Sequence, residues 1–335
     1  MAYTTIDDPS AYFQTTLYSG TGSSQAVTNT GNSDLQPDWV WLKVRSNGTY
    51  GHVVFDSVRG VNKALFPNAN NVEEDQSSDV SLSSFNSDGF TVGGYFNNVN
   101  QSGQTFVSWQ WKKTADAGFD IVTATGNATA KTIAHSLSAV PHVMIAKEKS
   151  GSINDWTVYH HKNTAAPETD SLILNETNAT ADQNTHWNDT APTSSVFTVG
   201  TGSVVNRNSS TYVYYLFSEK QGYSKFGSYK GNGNADGTFV YTGFKPAFVI
   251  IKDTAARDWI MLDNKRNPFN VADNRLFPNS TDAQNTGVDA LDFTAQGFKI
   301  RSTNSTVNVS GNTYIYMAFA EQPFVTSTGI PATAR

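Results

Sequence analysis

The chain has 335 residues, 16% of them charged and 12% aromatic, with a net charge of −6 and no cysteine. That balance excludes disulfides, thiolate catalysis and zinc–thiolate sites, and it lacks the clustered Lys/Arg of a nucleic-acid footprint. No window reaches the roughly 18 apolar residues of a membrane span, and "MAYTTIDDPSAYFQ" has no basic-then-apolar leader, so neither membrane insertion nor a secretion signal is expected.

In chain order, one pattern of landmarks occurs three times at a pitch of about 105 residues. It opens on a glycine turn: "YSGTG" at Gly20, "TATGNA" at Gly126, "YKGNG" at Gly231. A proline then begins an apolar run that ends in lysine: "PDWVWLK" from Pro37, "PHVMIAK" from Pro141, "PAFVIIK" from Pro246. In the first copy both faces of this run are apolar, Trp39 and Trp41 against Val40 and Leu42, as expected of a central strand covered twice. Further on, Phe90, Phe197 and Phe298 stand in register within "GFTVG", "VFTVG" and "GFKIR". Each copy closes on a strand-like segment: "TFVSWQWKK" from Thr105, "TYVYYLFSE" from Thr211, "TYIYMAFAE" from Thr313. One face of that segment is apolar every time: Val107, Trp109, Trp111; Val213, Tyr215, Phe217; Ile315, Met317, Phe319.

The units are therefore residues 11–113, 118–220 and 225–323, with linkers of a few residues. A pitch of this size is a domain rather than a solenoid repeat, and each unit is long enough for a core of its own. Many short strands with turn signals predict an all-β protein of three tandem jelly-roll-like β-sandwich domains. The tryptophans of "QPDWVWLKVR" then read as core, since Val143, Ile145, Phe248 and Ile250 hold the matching places.

The stretches "IDDPSAYFQTTLYSG", "TAPTSSVFTVG", "YSKFGSYKGNGNADGTFVYTGFKPAFV" and "TYIYMAFAEQPF" resemble an uncharacterised tandem-repeat family. That family is frequent in virion genes of marine tailed bacteriophages and is likened to concanavalin A-like or laminin-G-like jelly rolls. The resemblance covers essentially the whole chain. It implies a concanavalin A-like fold, a place on the surface of the phage particle at tail or head, and other virion proteins as partners. It carries no catalytic or binding residues. Unit one departs from the pattern, with "WKK" and Lys113 where the others end on Glu219 and Glu321, which makes it the natural candidate for docking to the particle.

Arg59 and Arg266 follow "FDSVRG" and "LDNKRN", and a salt bridge to Asp56 or Asp263 is the expected role. "LFPN" at Asn68 and Asn279, with "LILN" at Asn175, suggests asparagines held in turn geometry. His160 and His161 are adjacent, so on a strand they face opposite ways and do not chelate one metal. "NGNADG" from Asn232 starts like a calcium loop, but Gly243 stands where the bidentate acid belongs, so a hairpin turn is expected. Neither a metal nor a cofactor is expected.

Glu73, Glu74, Glu219 and Glu321 form no repeated acidic pair of the kind glycoside hydrolysis needs, and no G-x-S-x-G elbow occurs. No catalytic residue is assigned. Tryptophan beside Asp or Asn is common in sugar binding. Trp187, in the polar loop "QNTHWND" and without a counterpart, is the leading ligand candidate, followed by Trp156 and Trp259. Asp-Trp keeps register between units two and three, which favours a packing role for those two.

The expected function is a non-enzymatic bacteriophage virion structural protein that forms surface projections. A tail fibre or receptor-binding protein attaching to host cell-surface polysaccharide comes first, since repeated modules lend weak contacts avidity. The alternative is a capsid decoration or head-fibre protein that binds and stabilises the shell, and the lack of a separate N-terminal anchor or fibrous stem speaks for it. A capsule depolymerase is the third. A homotrimer fits any of these, as do three units in one chain that mimic a trimer.

Overall fold

The computed structural model describes residues 2–77 and 80–333. Its three units share one plan. In unit one the closing strand Thr105–Trp111 lies between the opening strand Phe13–Ser19 and the post-proline strand Trp39–Val44, and Val53–Asp56 pairs beyond. In unit two the same four strands are Phe119–Thr125, Thr211–Phe217, Val143–Glu148 and Thr157–His160. In unit three they are Ser224–Lys230, Thr313–Pro323, Phe244–Asp253 and Trp259–Asp263. All these pairings are antiparallel.

Against one face of each large sheet packs a small one. It joins Gln25–Val27 to Gly89–Val92 in unit one, Lys131–Ala134 to Val196–Val199 in unit two, and Phe239–Tyr241 to Gly297–Ile300 in unit three. The repeated phenylalanine fills the space between the layers. Phe90 lies with Val40 and Leu42, Phe197 with Met144 and Ala146, and Phe298 with Val249 and Ile251. The chain is thus all-β and built of β-sandwiches.

The opposite faces of the large sheets bring a departure from the tandem picture. Trp39, Trp41, Trp109 and Trp111 do not face solvent or a layer of their own unit. They share a central core with Ile145, Tyr215 and Phe217 of unit two and Phe248, Ile250 and Phe319 of unit three. Every pair of units touches there: Trp39 stacks on Tyr215 at 4.6 Å, Phe217 meets Phe319 at 5.9 Å, and Phe319 stacks on Phe13 at 5.3 Å. The three sheets close a ring around this core. This is the physical reason for the two-sided apolar run after each proline: one face serves its own sandwich, the other the common centre. All six residues of Trp39–Val44 and of Val143–Glu148 are buried.

The glycine turns have a steric cause. A Cβ on Gly20, Gly126 or Gly231 would stand 2.0, 2.0 or 2.2 Å from the carbonyl oxygen of Gln101, Arg207 or Val309, so only glycine fits. The same turns are pinned by a buried asparagine at the end of a one-turn helix. Asn206 accepts from Asn127 N at 3.0 Å and donates Nδ2 to the carbonyls of Thr129 and Gly200, and Asn100 and Asn308 do likewise in their units. The repeated "VN" at Val99–Asn100, Val205–Asn206 and Val307–Asn308 is the sequence sign of this pin. The first residues of the chain lie on unit three, where the Tyr3 hydroxyl donates to Gly243 O at 2.6 Å and Thr4 Oγ1 to Gln221 O at 2.7 Å.

Candidate functional site

Positions that repeat in all three units serve either their own sandwich or the ring. The lysines ending the apolar runs, Lys43, Lys147 and Lys252, are fully buried. Lys43 Nζ donates to Val44 O at 2.7 Å and Tyr50 O at 2.8 Å, and Lys252 Nζ donates to Ala255 O at 2.8 Å. Lys147 Nζ reaches across to Asn70 O of unit one at 2.9 Å. Burial pushes each ammonium down to about 8.

The arginine–aspartate pairs expected from the sequence are present, and they do more than close a strand end. Asp263 takes Arg266 Nε at 2.6 Å and Trp109 Nε1 of unit one at 3.0 Å. Asp56 takes Arg59 Nε and the Tyr215 hydroxyl of unit two, the latter at 2.8 Å. At the third junction both members of the pair are replaced, by His160 and Asn163, and the position facing them holds Met317. His160 instead places Nε2 3.1 Å from the Tyr316 carbonyl, while its Nδ1 accepts from Lys162 N.

A second ring runs through the tryptophans. Trp156 Nε1 donates to Phe66 O of unit one at 2.9 Å, and Trp259 Nε1 donates to Ile173 O of unit two at 2.9 Å. His52 holds the matching place in unit one, accepts from Trp41 Nε1 at 2.9 Å and faces the Phe277 carbonyl of unit three. The turn asparagines hold this ring. Asn68, Asn175 and Asn279 accept from His52 N, Trp156 N and Trp259 N at 2.7, 2.8 and 3.0 Å.

These facts correct the tryptophan candidates for sugar stacking. Trp156 and Trp187 are 0% exposed and Trp259 is 3% exposed. Trp187 ends the helical turn Asn184–Trp187, in which Asn184 and Thr185 are exposed while His186 is buried against Ser171 and the Trp187 ring packs edge-on against Tyr159 at 6.0 Å. None of the three offers a face to solvent.

The "NGNADG" segment is a chain of Asx turns, with Asn232 Oδ1 accepting from Asn234 N and Asn234 Oδ1 from Asp236 N. His161 Nε2 lies 2.6 Å from Phe226 O, a different carbonyl from that of His160. Among the described residues no three metal-ligating side chains gather, and no helix is long and apolar enough to cross a membrane.

The buried histidines make stability depend on pH. Burial holds His160 down to about 3, and His161 and His186 down to about 4. Each folded value lies below the unfolded one near 6.5, so their contribution is fully present above pH ~6.5 and is lost as pH falls toward 4. Each can remove up to about 1.4 kcal/mol per pH unit in that window. Urea midpoints measured from pH 7 to pH 4 should fall, and His160→Asn should make the slope shallower by about one proton. A slope unchanged in that variant would rule out His160 as a contributor.

The units stop agreeing at the clefts between them. Where unit three meets unit one, Gln14, Thr30, Ala247 and Glu321 line a cleft of about 230 Å³. Where unit two meets unit three, the aligned positions are Lys225, Gly243, His142 and Glu219, and the cleft is about 510 Å³. At the junction of units one and two the matching Asp120 is taken up by Ser136 N at 2.6 Å, Ser136 Oγ at 2.8 Å and Lys113 Nζ at 3.3 Å. Lys113 is thus the mirror of Glu219, which pairs with Lys225 at 3.1 Å, so the "WKK" departure is a charge swap inside the ring.

The larger cleft also holds Tyr3, Gln221 and Tyr241. Tyr241 is 54% exposed and Phe239, two residues back on the same strand face, is 48% exposed. The aligned residues are Ala26 and Thr28 in unit one and Thr132 and Ala134 in unit two. Neither Tyr241 nor this cleft was singled out in the sequence. The signal lay in comparing copies, since aromatics replace small residues on that strand in unit three alone.

No curated protein and no solved structure matches the chain. The model of a family described as a domain of unknown function, DUF7483, matches residues 8–323, a span that takes in all three units. The chain belongs to the DUF7483 family.

Proposed function

We propose that this protein is a non-catalytic binding module on the surface of a bacteriophage particle, acting in attachment to host cell-surface polysaccharide. The observation that carries the reading is the contrast between ring and clefts. Positions repeated in all units are committed to the core, the buried lysine caps and the inter-unit links, whereas the open cleft and exposed aromatics fall where the copies differ. Rigid scaffolds that present variable recognition surfaces follow this division. The carboxylates held in the ring have partners already: Asp56 and Asp263 with arginine, Asp120 and Glu219 with lysine. The particle itself comes from the resemblance to phage virion repeats.

Immunogold labelling of purified particles, combined with an adsorption assay, tests this reading. Label at the tail and slower adsorption in the presence of added protein are expected. Label over every capsomer would replace attachment by capsid decoration, and absence from purified particles would end the virion reading.

A further inference from the structure

We infer that the cleft between units two and three binds a neutral saccharide, with Tyr241 as the face on which a sugar ring stacks. As the contact through which attachment would work, this rests on the reading above, but the binding itself is a property of the isolated protein.

Three observations converge on it. First, the cleft is the roomier of the two, and glycine at 243 admits the Tyr3 hydroxyl to its wall. Gly243 has a φ of +83°, and a Cβ there would lie 2.6 Å from the Tyr3 hydroxyl. The sister cleft has Thr30 at that position and is less than half the size, about 230 Å³ against 510 Å³. A volume of this size lies within the usual range of small-ligand sites.

Second, the aromatic face is fixed and accessible. Tyr241 sits on the strand Phe239–Tyr241, anchored by Val240, which is buried opposite Phe298. Tyr3 beside it is locked by its bond to Gly243 O. The C–H face of a pyranose supplies the partner such a ring lacks.

Third, the charges in the cleft are already neutralised, while hydrogen-bonding groups remain. Glu219 pairs with Lys225 and accepts from Phe226 N at 2.8 Å. His142 Nδ1 accepts from Glu219 N at 3.1 Å, so its Nε2 carries the proton and is a donor. Burial pushes this imidazole below its ordinary value, which keeps it uncharged at neutral pH. The Gln221 amide, the outer protons of Lys225 and the His142 N–H can reach hydroxyls without breaking an ion pair. An acidic or basic ligand would have to compete with the Glu219–Lys225 pair.

The test uses the full chain and tetrasaccharides of glucose, mannose, galactose and N-acetylglucosamine, with an oligouronate and an oligosialate as acidic controls. Saturation-transfer NMR and calorimetric titration read the binding. At least one neutral tetrasaccharide should bind. Tyr241→Ala and Gln221→Ala should each weaken it about tenfold, a loss of about 1.4 kcal/mol, with the melting temperature unchanged. Gln14→Ala in the sister cleft should leave binding as it was. No binding of any neutral tetrasaccharide, binding of the acidic controls alone, or full affinity in Tyr241→Ala would each overturn the assignment. Tail labelling with no sugar binding would leave the virion reading standing while this one fails.

Discussion

Asp263→Ala is expected to destabilise the whole chain by about 3–5 kcal/mol, the usual cost of leaving one half of a buried ion pair alone. Arg266 and Asp263 side chains are both 0% exposed, and the guanidinium would lose its only carboxylate partner among the described residues. The Trp109 indole of unit one would lose its acceptor at the same time, so the damage spans a junction between units. The double change Asp263→Leu with Arg266→Met should recover much of the loss, because no charge then stays buried. Urea unfolding of the three proteins measures this. A cost under about 1 kcal/mol for Asp263→Ala would mean that the pair does not hold the ring.

Trp39→Ala should cost about 3–5 kcal/mol, the range for removing a large aromatic from a packed core. Trp39 is 2% exposed and touches rings of its own unit and of unit two, with Trp111 at 4.8 Å, Tyr215 at 4.6 Å and Phe119 at 5.7 Å. The loss should be felt by all three units together. Hydrogen exchange followed by mass spectrometry should show faster global opening in units two and three as well as in unit one. Faster exchange confined to residues 11–113 would instead mean that each sandwich stands alone.

Much of the fold was legible in the sequence because strands write their burial at a period of two. Val107, Trp109 and Trp111 kept one phase in three copies, and the two-sided run Trp39–Leu42 correctly announced a strand covered twice. The identity of the second cover was not legible. Local pattern shows that a face is apolar and is silent on whether its partner belongs to the same unit. Arg59 and Asp56 are three residues apart and could be paired by inspection, whereas Asp56 and Tyr215 are 159 apart.

The candidate site was hidden for a related reason. Trp187 drew attention through its polar neighbours, yet a single helical turn leaves Asn184 and Thr185 outside and takes His186 and the Trp187 ring inward. The better signals were correlated departures among the copies: His160 and Asn163 replacing an Asp and an Arg opposite Met317, and Lys113 with Asp120 reversing Glu219 with Lys225. Phe239 and Tyr241 standing where the other units carry Ala and Thr is the departure that leaves aromatic surface exposed, with the Tyr241 hydroxyl bonded to Tyr3, and it marks the cleft.

Scanning calorimetry of the full chain reads most directly whether three units make one folding body. A shared core predicts a single transition whose calorimetric and van't Hoff enthalpies agree. Separate transitions, or a calorimetric enthalpy about three times the van't Hoff value, would contradict it.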